Sequence, residues 1–245
     1  MSDDDRVFFE STRRLAPPSL AREDVRAALE LLRPALGAAG RVADLGCGYG
    51  RHLAALQGQG VPHPIGVDKS ALLLREARKL APAARLIRAD LRSLPIREGS
   101  LDAAACFYSS MFLGTDEGAR AALAEVRRAL KPSGLLVLTT DNPLRLADSP
   151  RSSFRDDVPG LGRVTEESHF DGTTDTVRRR IEQGVPGGTA APRGALEAEF
   201  RIRYYRPEEL SKLADAAGLK LLRLEPDAPL TASTPQLIAL LGRRS

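Results

Sequence analysis

The sequence predicts an α/β fold with a mostly parallel sheet and helices on both of its faces. From residue 41 to residue 141, short apolar runs alternate with helix-like segments, which is the pattern of parallel strands joined by helical crossovers. The first of these runs ends in a glycine-rich turn. A parallel strand that delivers its C-terminal end into such a turn forms part of a nucleotide-type binding crevice.

The N-terminal region precedes this alternation. Phe8 and Phe9 are adjacent, and we expect them to pack on the core. Glu23–Leu36 places its apolar residues on one helical face. Gly37 is suited to end that helix.

The glycine-rich turn has the pattern D-x-G-x-G-x-G, formed by Asp44, Gly46, Gly48 and Gly50. Glycine lets the backbone adopt positive φ and lets a ligand approach with no Cβ in the way. The second run, Pro64–Val67, ends at Asp68. That acid follows the turn by about 20 residues, where dinucleotide folds place an acid for ribose hydroxyls. Ser70 is the better cap for the helix Ala71–Leu80, which leaves Asp68 for a ligand.

Further segments complete the alternation. The third run, Ala84–Ala89, ends in Asp90, and the fourth spans Leu101–Phe107. A helix-like segment, Ala119–Leu130, leads through a turn into the strand-like Leu135–Thr139.

The pattern changes after Asp141. Residues 142–172 are rich in Pro, Ser, Asp and Arg, and two strand-like runs follow, Thr174–Gln183 and Leu196–Tyr205. We predict that these two runs form an antiparallel hairpin inserted above the sheet. The rest of the chain is predicted as one helix, starting within Arg206–Leu210, and two strands, Leu219–Leu224 and Gln236–Leu241.

Together these motifs resemble those of class I S-adenosylmethionine (SAM)-dependent methyltransferases of the small-molecule branch. The D-x-G-x-G-x-G turn resembles the first motif of that family. Asp90 with Leu91 resembles the third motif, where an Asp meets the adenine amino group. The segment from Leu130 to Gly134, which leads from a helix into the next strand, is also typical of that family. The resemblance implies a Rossmann-like, seven-stranded, mostly parallel sheet whose last strand is antiparallel, in addition to the inserted antiparallel hairpin.

The implied organisation has four parts. Residues 1–40 give an N-terminal segment and helix, which is a candidate lid over the cofactor, and residues 41–141 form the SAM-binding core. Residues 142–206 form the inserted hairpin on the acceptor side, and residues 207–245 complete the core with a helix and a strand pair. The alternative for the hairpin is a dimer interface, which makes a homodimer a candidate assembly.

The resemblance implies SAM as the cofactor and S-adenosylhomocysteine (SAH) as the product. The candidate cofactor-binding residues are Asp44, Gly46, Cys47, Gly48, Gly50, Arg51, Asp68, Lys69, Asp90, Leu91, Phe107 and Tyr108. Arg51 is expected to bond the methionine carboxylate, with a surface ion pair as the alternative. Asp44 and Asp90 have a simpler alternative as turn and loop residues.

Methyl transfer from a sulfonium mainly needs a nucleophile held in line with the breaking bond. A general base is needed only where the acceptor must lose a proton. The catalytic candidates are His169, in the insert, and Tyr108, after the fourth strand, whereas His52 and His63 are interpreted as structural. The candidate substrate-binding residues are Ser109, Met111, Asp141 and Asn142. The acceptor is expected to be a small molecule whose nucleophile is O, N or C.

Composition argues against several other classes. The chain has 245 residues, a net charge of +4 and two cysteines, Cys47 and Cys106, which fits an α/β protein of a reducing cytoplasm with neither disulfides nor zinc. No apolar run approaches the roughly 18–20 residues of a membrane span, and the acidic N-terminus is unlike a signal peptide. No stretch interleaves basic with aromatic residues as single-strand nucleic-acid platforms do, so a nucleic-acid partner is not expected.

Rival enzyme classes fit less well. An NAD(P)-dependent oxidoreductase is disfavoured because the turn is not G-x-G-x-x-G and no Tyr-x-x-x-Lys is present. Nucleobase amino methylation is disfavoured because the residues from Cys106 to Ser110 stand where an Asp/Asn-Pro-Pro-Tyr/Phe run would be. Two alternatives stay open: an RNA- or protein-directed methyltransferase that uses the Arg-rich insert, and a non-catalytic SAM-binding protein.

Overall fold

The computed structural model describes Val7 and residues 18–36, 40–159, 162–182, 194–227 and 230–244. Its strands are β1 (Val42–Leu45), β2 (Ile65–Asp68), β3 (Arg85–Arg88), β4 (Leu101–Cys106), β5 (Leu130–Asp141), β6 (Arg151–Val158), β7 (Gly162–Phe170), β8 (Thr174–Glu182), β9 (Ala195–Arg203), β10 (Leu219–Glu225) and β11 (Gln236–Arg243). Its α-helices are α1 (Pro18–Leu32), α2 (Arg51–Gly58), α3 (Ala71–Leu80), α4 (Asp116–Ala129), α5 (Pro143–Asp148) and α6 (Pro207–Ala216).

A seven-stranded sheet in the order β10-β11-β5-β4-β1-β2-β3 forms the centre of the fold. The strands from β1 to β5 pair in parallel. The last strand, β11, is antiparallel to both β5 and β10. The predicted fold class, a Rossmann-like sheet whose last strand is antiparallel, is confirmed.

Apolar side chains fill both faces of this sheet. One buried cluster includes Leu123 of α4 and Leu210 of α6, and a second includes Leu32 of α1 and Leu53 of α2. Helices therefore cover both faces, as expected for a parallel sheet, whose strands cannot leave one side in water.

The starts of helix α4 and strand β5 differ from those predicted by the apolar pattern of the sequence. A capping side chain explains the first difference and strand pairing explains the second. Helix α4 begins at Asp116, ahead of the predicted Ala119, because Thr115 precedes it and its side chain accepts a hydrogen bond from the backbone N–H of Gly118. Strand β5 begins at Leu130, where the sequence suggested a turn before the strand. Its pairing with β4 changes register between Leu101 and Ala103, so the turn residues form an irregularity within the strand.

The insert after β5 is larger than the predicted hairpin. The two predicted strands are present as β8 and β9, but β6 and β7 precede them and complete a four-stranded antiparallel sheet. Sequence reasoning missed β6 and β7 because β6 is rich in Ser, Asp and Arg, which are not strong strand formers. Their pairing supplies the stability that propensity lacks: Arg151 lies opposite His169 and Val158 opposite Gly162.

One face of the inserted sheet is apolar and covered. Val164, Ile181 and Ala198 are buried there and cluster with Val7, which is itself buried. The other expected features of the N-terminal segment, Phe8, Phe9 and the lid, lie outside the described residues.

The end of the inserted sheet is fixed to the core. Ile202 forms a bridge with Leu113, which follows β4. The hydroxyl of Tyr205 donates to Asp116 Oδ1 at 2.7 Å, and Arg203 Nε donates to the same oxygen at 3.2 Å. These contacts hold the insert against the first turn of α4, at the edge where the parallel strands end.

Replacing Gly50 by Ala should destabilise the protein more than replacing Gly60 by Ala. Both glycines have positive φ, +90° and +94°, so both replacements carry a backbone penalty of about 1–2 kcal/mol. A Cβ at Gly50 would also lie 2.9 Å from the Cα of Ala77, whereas at Gly60 nothing lies within 4 Å. We expect an additional loss of about 1–3 kcal/mol for Gly50→Ala, measured by urea unfolding. Equal decreases in the free energy of unfolding of the two variants would show that α3 does not restrict the space at Gly50.

Candidate functional site

The glycine-rich turn after β1 is folded against the end of β2. The backbone N–H groups of Gly46 and Cys47 both donate to the carbonyl of Val67, at 2.8 and 3.0 Å. The N–H of Gly48 donates to Asp68 Oδ2 at 2.9 Å, and the N–H of Ser70 to Asp68 Oδ1 at 2.8 Å. Asp68 thus organises the turn from the neighbouring strand and stands at the mouth of the crevice.

The prediction that Ser70 caps the next helix is correct in the structure. Its Oγ accepts a hydrogen bond from the N–H of Leu73 at 3.3 Å. Asp68 is consequently not needed as a helix cap. Its carboxylate is nonetheless already an acceptor for two backbone groups, which sequence reasoning did not foresee.

Asp44 is an ionisable residue buried beneath the turn. It is 1% exposed, and its Oδ2 has no hydrogen-bond partner among the described residues. Burial first, and then the charge of Asp68, raise the pKa of Asp44 to about 8, although Arg51 opposes the shift. A buried carboxyl oxygen without a partner is destabilising by itself, so this oxygen marks a place where a ligand group or a proton is needed.

The turn also touches the segment that follows β4. Gly46 has φ +76°, and a Cβ there would lie 2.6 Å from the Cβ of Ser110. Glycine is therefore required at this position by both its dihedral angle and the close approach. The contact brings the ends of β1, β2 and β4 to one crevice.

A cluster around Tyr108 joins the N-terminal helix to this crevice. Asp24 of α1 lies 3.2 Å from His52 Nε2 and accepts a hydrogen bond from the Tyr108 hydroxyl at 3.0 Å. The His52 ring stacks on Phe107, with ring centroids 4.1 Å apart, and the guanidinium of Arg51 lies 4.6 Å from the centroid of the Tyr108 ring. Burial lowers the pKa of His52, against the opposing hydrogen bond to Asp24. Sequence reasoning missed Asp24, because a lone Asp on an amphipathic helix gives no local signal.

The backbone after β4 takes an unusual path. Tyr108 and Ser109 both have left-handed backbone angles, φ 53° and 57°, which are rare for residues with a side chain. Strand β5 supports this path: Thr139 Oγ1 accepts from the N–H of Tyr108, and Thr139 O accepts from the N–H of Ser109, each at 2.9 Å. Such local strain is typical of functional segments.

The insert brings a second group of polar side chains to the end of β5. The hydroxyl of Tyr204 lies 3.5 Å from Asp141 Oδ2, and Asp175 of β8 is buried at 5% exposure. Burial raises the pKa of Asp141, although the charge of Arg145 opposes the rise. Neither Tyr204 nor Asp175 was predicted from the sequence as a site residue, since only the folded insert brings them to Asp141.

Three predicted residues have different surroundings from those expected. His169, the catalytic candidate, is exposed on β7, next in sequence to the buried Phe170; neighbouring residues of a strand point to opposite faces, so His169 is on the solvent side of the insert. Asn142, a substrate candidate, is fully buried and donates to the carbonyls of Thr231 and Thr234. Met111, another substrate candidate, is 5% exposed within the apolar core.

The remaining predicted cofactor-binding residues, Asp90, Leu91 and Lys69, differ in their surroundings. Asp90 binds Arg92, whose Nε and Nη2 lie 2.9 and 2.6 Å from the two carboxylate oxygens. These hydrogen bonds lower the pKa of Asp90 to about 2. Leu91 packs at the border of the core, and Lys69 is exposed.

Both cysteines are buried and reduced. Burial raises the pKa of the thiols of Cys47 and Cys106. These thiols are poor nucleophiles, because reactivity requires the thiolate.

Comparison with known proteins agrees with this geometry. Residues 42–134 match the family model described as a methyltransferase domain. The SAM-bound amino pentose methyltransferase CalS10 from Micromonospora echinaspora is 25% identical, with a TM-score of 0.68 over 90% of this chain and 91% of that one. The CcbJ methyltransferase from Streptomyces caelestis is 23% identical and shares the fold, with a TM-score of 0.75 over 94% of this chain and 91% of that one.

This chain has the fold of class I SAM-dependent methyltransferases, and residues 42–134 match a methyltransferase domain. Trans-aconitate 2-methyltransferase from Paracidovorax citrulli is 35% identical to it over 119 residues, which are 47% of this chain and 45% of that protein. The chain spans about half the length of the curated relatives it matches: 55%, 45% and 53% for three of them.

The residues of the crevice fit SAM as the cofactor. The turn has positive φ at Gly46, Gly48 and Gly50, so no side chain blocks the approach of a ligand to the backbone. Asp44 Oδ2 is an unpaired acceptor beneath the turn, and Asp68 stands at the end of the adjacent strand. No helix within the described ranges combines the length and apolarity that a membrane crossing requires.

Replacing Asp44 by Asn should stabilise the ligand-free protein at pH 8. The pKa of Asp44 is about 8 in the folded protein, against an ordinary value of 3.8 for an aspartate, so the folded state keeps a proton that the unfolded state releases between those pH values. The free energy of unfolding therefore falls as pH rises through this window, by up to about 1.4 kcal/mol per pH unit. Asparagine removes the titration, and the advantage of the variant should shrink toward pH 4.

Urea unfolding at several pH values measures this effect. Asp156→Asn, which replaces an exposed carboxyl on β6, is the control and should keep the wild-type pH profile. An Asp44→Asn protein less stable than the wild type at pH 8 would show that the buried carboxylate has a stabilising partner in the folded state.

Proposed function

We propose that this methyltransferase transfers the methyl group of SAM to a small-molecule acceptor, by in-line displacement. The acceptor enters between the strained segment after β4 and the inserted sheet. The observation that carries the proposal is the meeting of Asp141 with Tyr204, which places the insert directly beside the end of β5. A crevice at the carboxyl ends of the strands is where open α/β sheets bind their ligands.

The cofactor side uses the turn after β1 and the end of β2. Asp68 is proposed to accept hydrogen bonds from the ribose hydroxyls, while it holds the N–H of Gly48 in place. Arg51, 7% exposed beside Asp44 and Tyr108, is proposed to bind the methionine carboxylate. Bound SAM supplies an electrophilic methyl group whose leaving group is a neutral thioether. The main task of the chain is therefore to orient the acceptor and exclude water.

Tyr108 and Ser109 are proposed to line the acceptor path next to the reacting carbon. Their strained backbone is fixed by β5, and the Tyr108 hydroxyl is fixed by Asp24. Residues 142–206 form the acceptor-side cap in this proposal, and α1 closes the site from the opposite side through Asp24.

Two observations support a small acceptor over RNA or protein. The arginine run that begins at Arg178 does not form an open basic surface: Arg178 binds Glu199 at 2.8 Å and Arg180 binds Glu197 at 3.1 Å. Such neutralised pairs offer little attraction to phosphates. The 25% identical relative is named as an amino pentose methyltransferase, which is an enzyme for a small acceptor.

Titration calorimetry with SAH tests the cofactor half of the proposal. We expect a stoichiometry near one, and a loss of affinity of about 10- to 100-fold for Asp68→Ala, since a hydrogen bond to a charged group contributes about 1.5–3 kcal/mol. Asp102→Ala is the matched control. Asp102 also accepts a backbone N–H, that of Arg41, but it does so where β4 begins, at the opposite edge of the sheet.

The control should lose stability and keep its SAH affinity. Unchanged SAH affinity in a folded Asp68→Ala protein would remove Asp68 from the cofactor site.

The acceptor half of the proposal is tested by SAH release from SAM in the presence of pooled small metabolites, with RNA and protein as the competing acceptor pools. Turnover confined to RNA or protein would contradict the small-molecule assignment.

A further inference from the structure

The acceptor side of the crevice is short of positive charge. Burial first, and then the charges of Asp141 and Asp175, raise the pKa of the Tyr204 hydroxyl. Glu166 of β7 also acts on Asp175, but Glu166 already forms an ion pair with Arg179 at 2.5 Å. Asp141 and Asp175 therefore remain without a paired cation.

Asp175 adds an independent observation. It is 5% exposed, and its Oδ1 has no hydrogen-bond partner among the described residues. Within the described ranges only two buried side-chain atoms are orphaned in this way, and the other is Asp44 Oδ2 on the cofactor side. One orphaned carboxyl thus belongs to each half of the crevice.

The charged groups around Asp141 and Asp175 do not neutralise the negative charge of these two carboxylates. Arg145, from α5, lowers the pKa of Asp141 through its charge, but no basic side chain lies within ion-pair distance of Asp141 or Asp175 in the described part of the chain. Burial is the main cause of the raised pKa of Asp175, and the charges of Glu166 and Asp141 add to it, while hydrogen bonds from the Ser168 side chain and the His169 backbone oppose the rise. A buried, unpaired carboxylate is costly, and natural proteins keep such costs mainly at functional sites.

We propose that the acceptor nucleophile is an amine, which enters as an ammonium group beside Asp141 and Asp175. This inference rests on the proposed function, because it names the acceptor class of the same site. An ammonium group brings the missing positive charge and several N–H donors, whereas an alcohol leaves the acids uncompensated. A carboxylate acceptor would be repelled by both acids.

The chemistry assigns Asp141 the role of proton acceptor. An ammonium nitrogen has no lone pair, so R–NH3⁺ first gives a proton to the Asp141 carboxylate and becomes R–NH2. The nitrogen lone pair then forms the new N–C bond while the C–S bond breaks, and the electrons of the broken bond stay on sulfur. The product R–NH2⁺–CH3 is again a cation, which Asp175 stabilises. The raised pKa of Asp141 suits it to this task.

Binding of simple alkylammonium ions tests whether the site recognises a cationic amine, and the test does not require the acceptor to be known. We expect methylammonium and ethylammonium chloride to raise the melting temperature of the SAH-bound methyltransferase above the value in sodium chloride of equal ionic strength. The difference should disappear in Asp141→Asn and Asp175→Asn, and persist in Asp156→Asn. If alkylammonium and sodium ions act alike on the wild type, the site does not recognise amines and the inference fails.

Turnover on matched acceptor pairs tests the chemistry. Each amine is assayed beside the alcohol of the same carbon skeleton, for example glucosamine beside glucose, with SAH release as the readout. We expect turnover with amines and a loss of about 100-fold in kcat/KM for Asp141→Asn, with Asp156→Asn unchanged. If Asp175→Asn fails to fold, Asp141→Asn carries the comparison, because its side chain is only partly buried.

The outcomes separate the two proposals. Turnover of alcohols or carboxylates without turnover of amines overturns the amine assignment and leaves the proposed function standing. SAH binding without turnover of any small acceptor contradicts both. Full amine turnover in Asp141→Asn removes Asp141 from the proton transfer.

Discussion

The site depends on the close packing of the glycine-rich turn between β2 and the segment after β4. The carbonyl of Val67 receives two N–H groups of the turn, and Ser110 presses on Gly46 from the other side. This double contact requires positive φ and the absence of a Cβ. It also buries Asp44 with one oxygen unpaired. The geometry that opens the backbone to a ligand therefore also leaves a buried carboxyl in need of one.

The inserted sheet repeats this arrangement on the proposed acceptor side. Asp175 is buried with an unpaired oxygen, close enough to Asp141 at the end of β5 to feel its charge. The contacts of Arg203 and Tyr205 with Asp116 keep the insert in that position. Both halves of the crevice therefore hold acidic groups that the fold itself does not satisfy. The stability lost at these two carboxyls has to be offset by the apolar clusters on the faces of the sheet.

Much of the core could be predicted from the sequence, because each of its signals is local. Strand and helix alternation, the glycine pattern and the cap at Ser70 are all encoded within a few residues of where they act. The insert was harder. Strand β6 carries few strand-forming residues, and its pairing partners follow later in the chain, so its existence depends on register rather than on propensity. The site residues Asp24, Asp175 and Tyr204 were missed for a related reason, since each reaches the crevice only through the tertiary fold.

His169 shows how strongly a functional prediction in a strand depends on which face its side chain occupies. It lies in the predicted element and in the right part of the chain, but the side-chain period of a strand is two residues. The buried Phe170 fixes which face is covered, and so places His169 in solvent. A shift of one residue would exchange the two. The register also sets Asp175 opposite Phe170. The same alternation of faces that exposes His169 therefore turns the Asp175 carboxyl toward the proposed acceptor path. The resulting site is acidic rather than basic in character, and this favours an acceptor that arrives with its own positive charge.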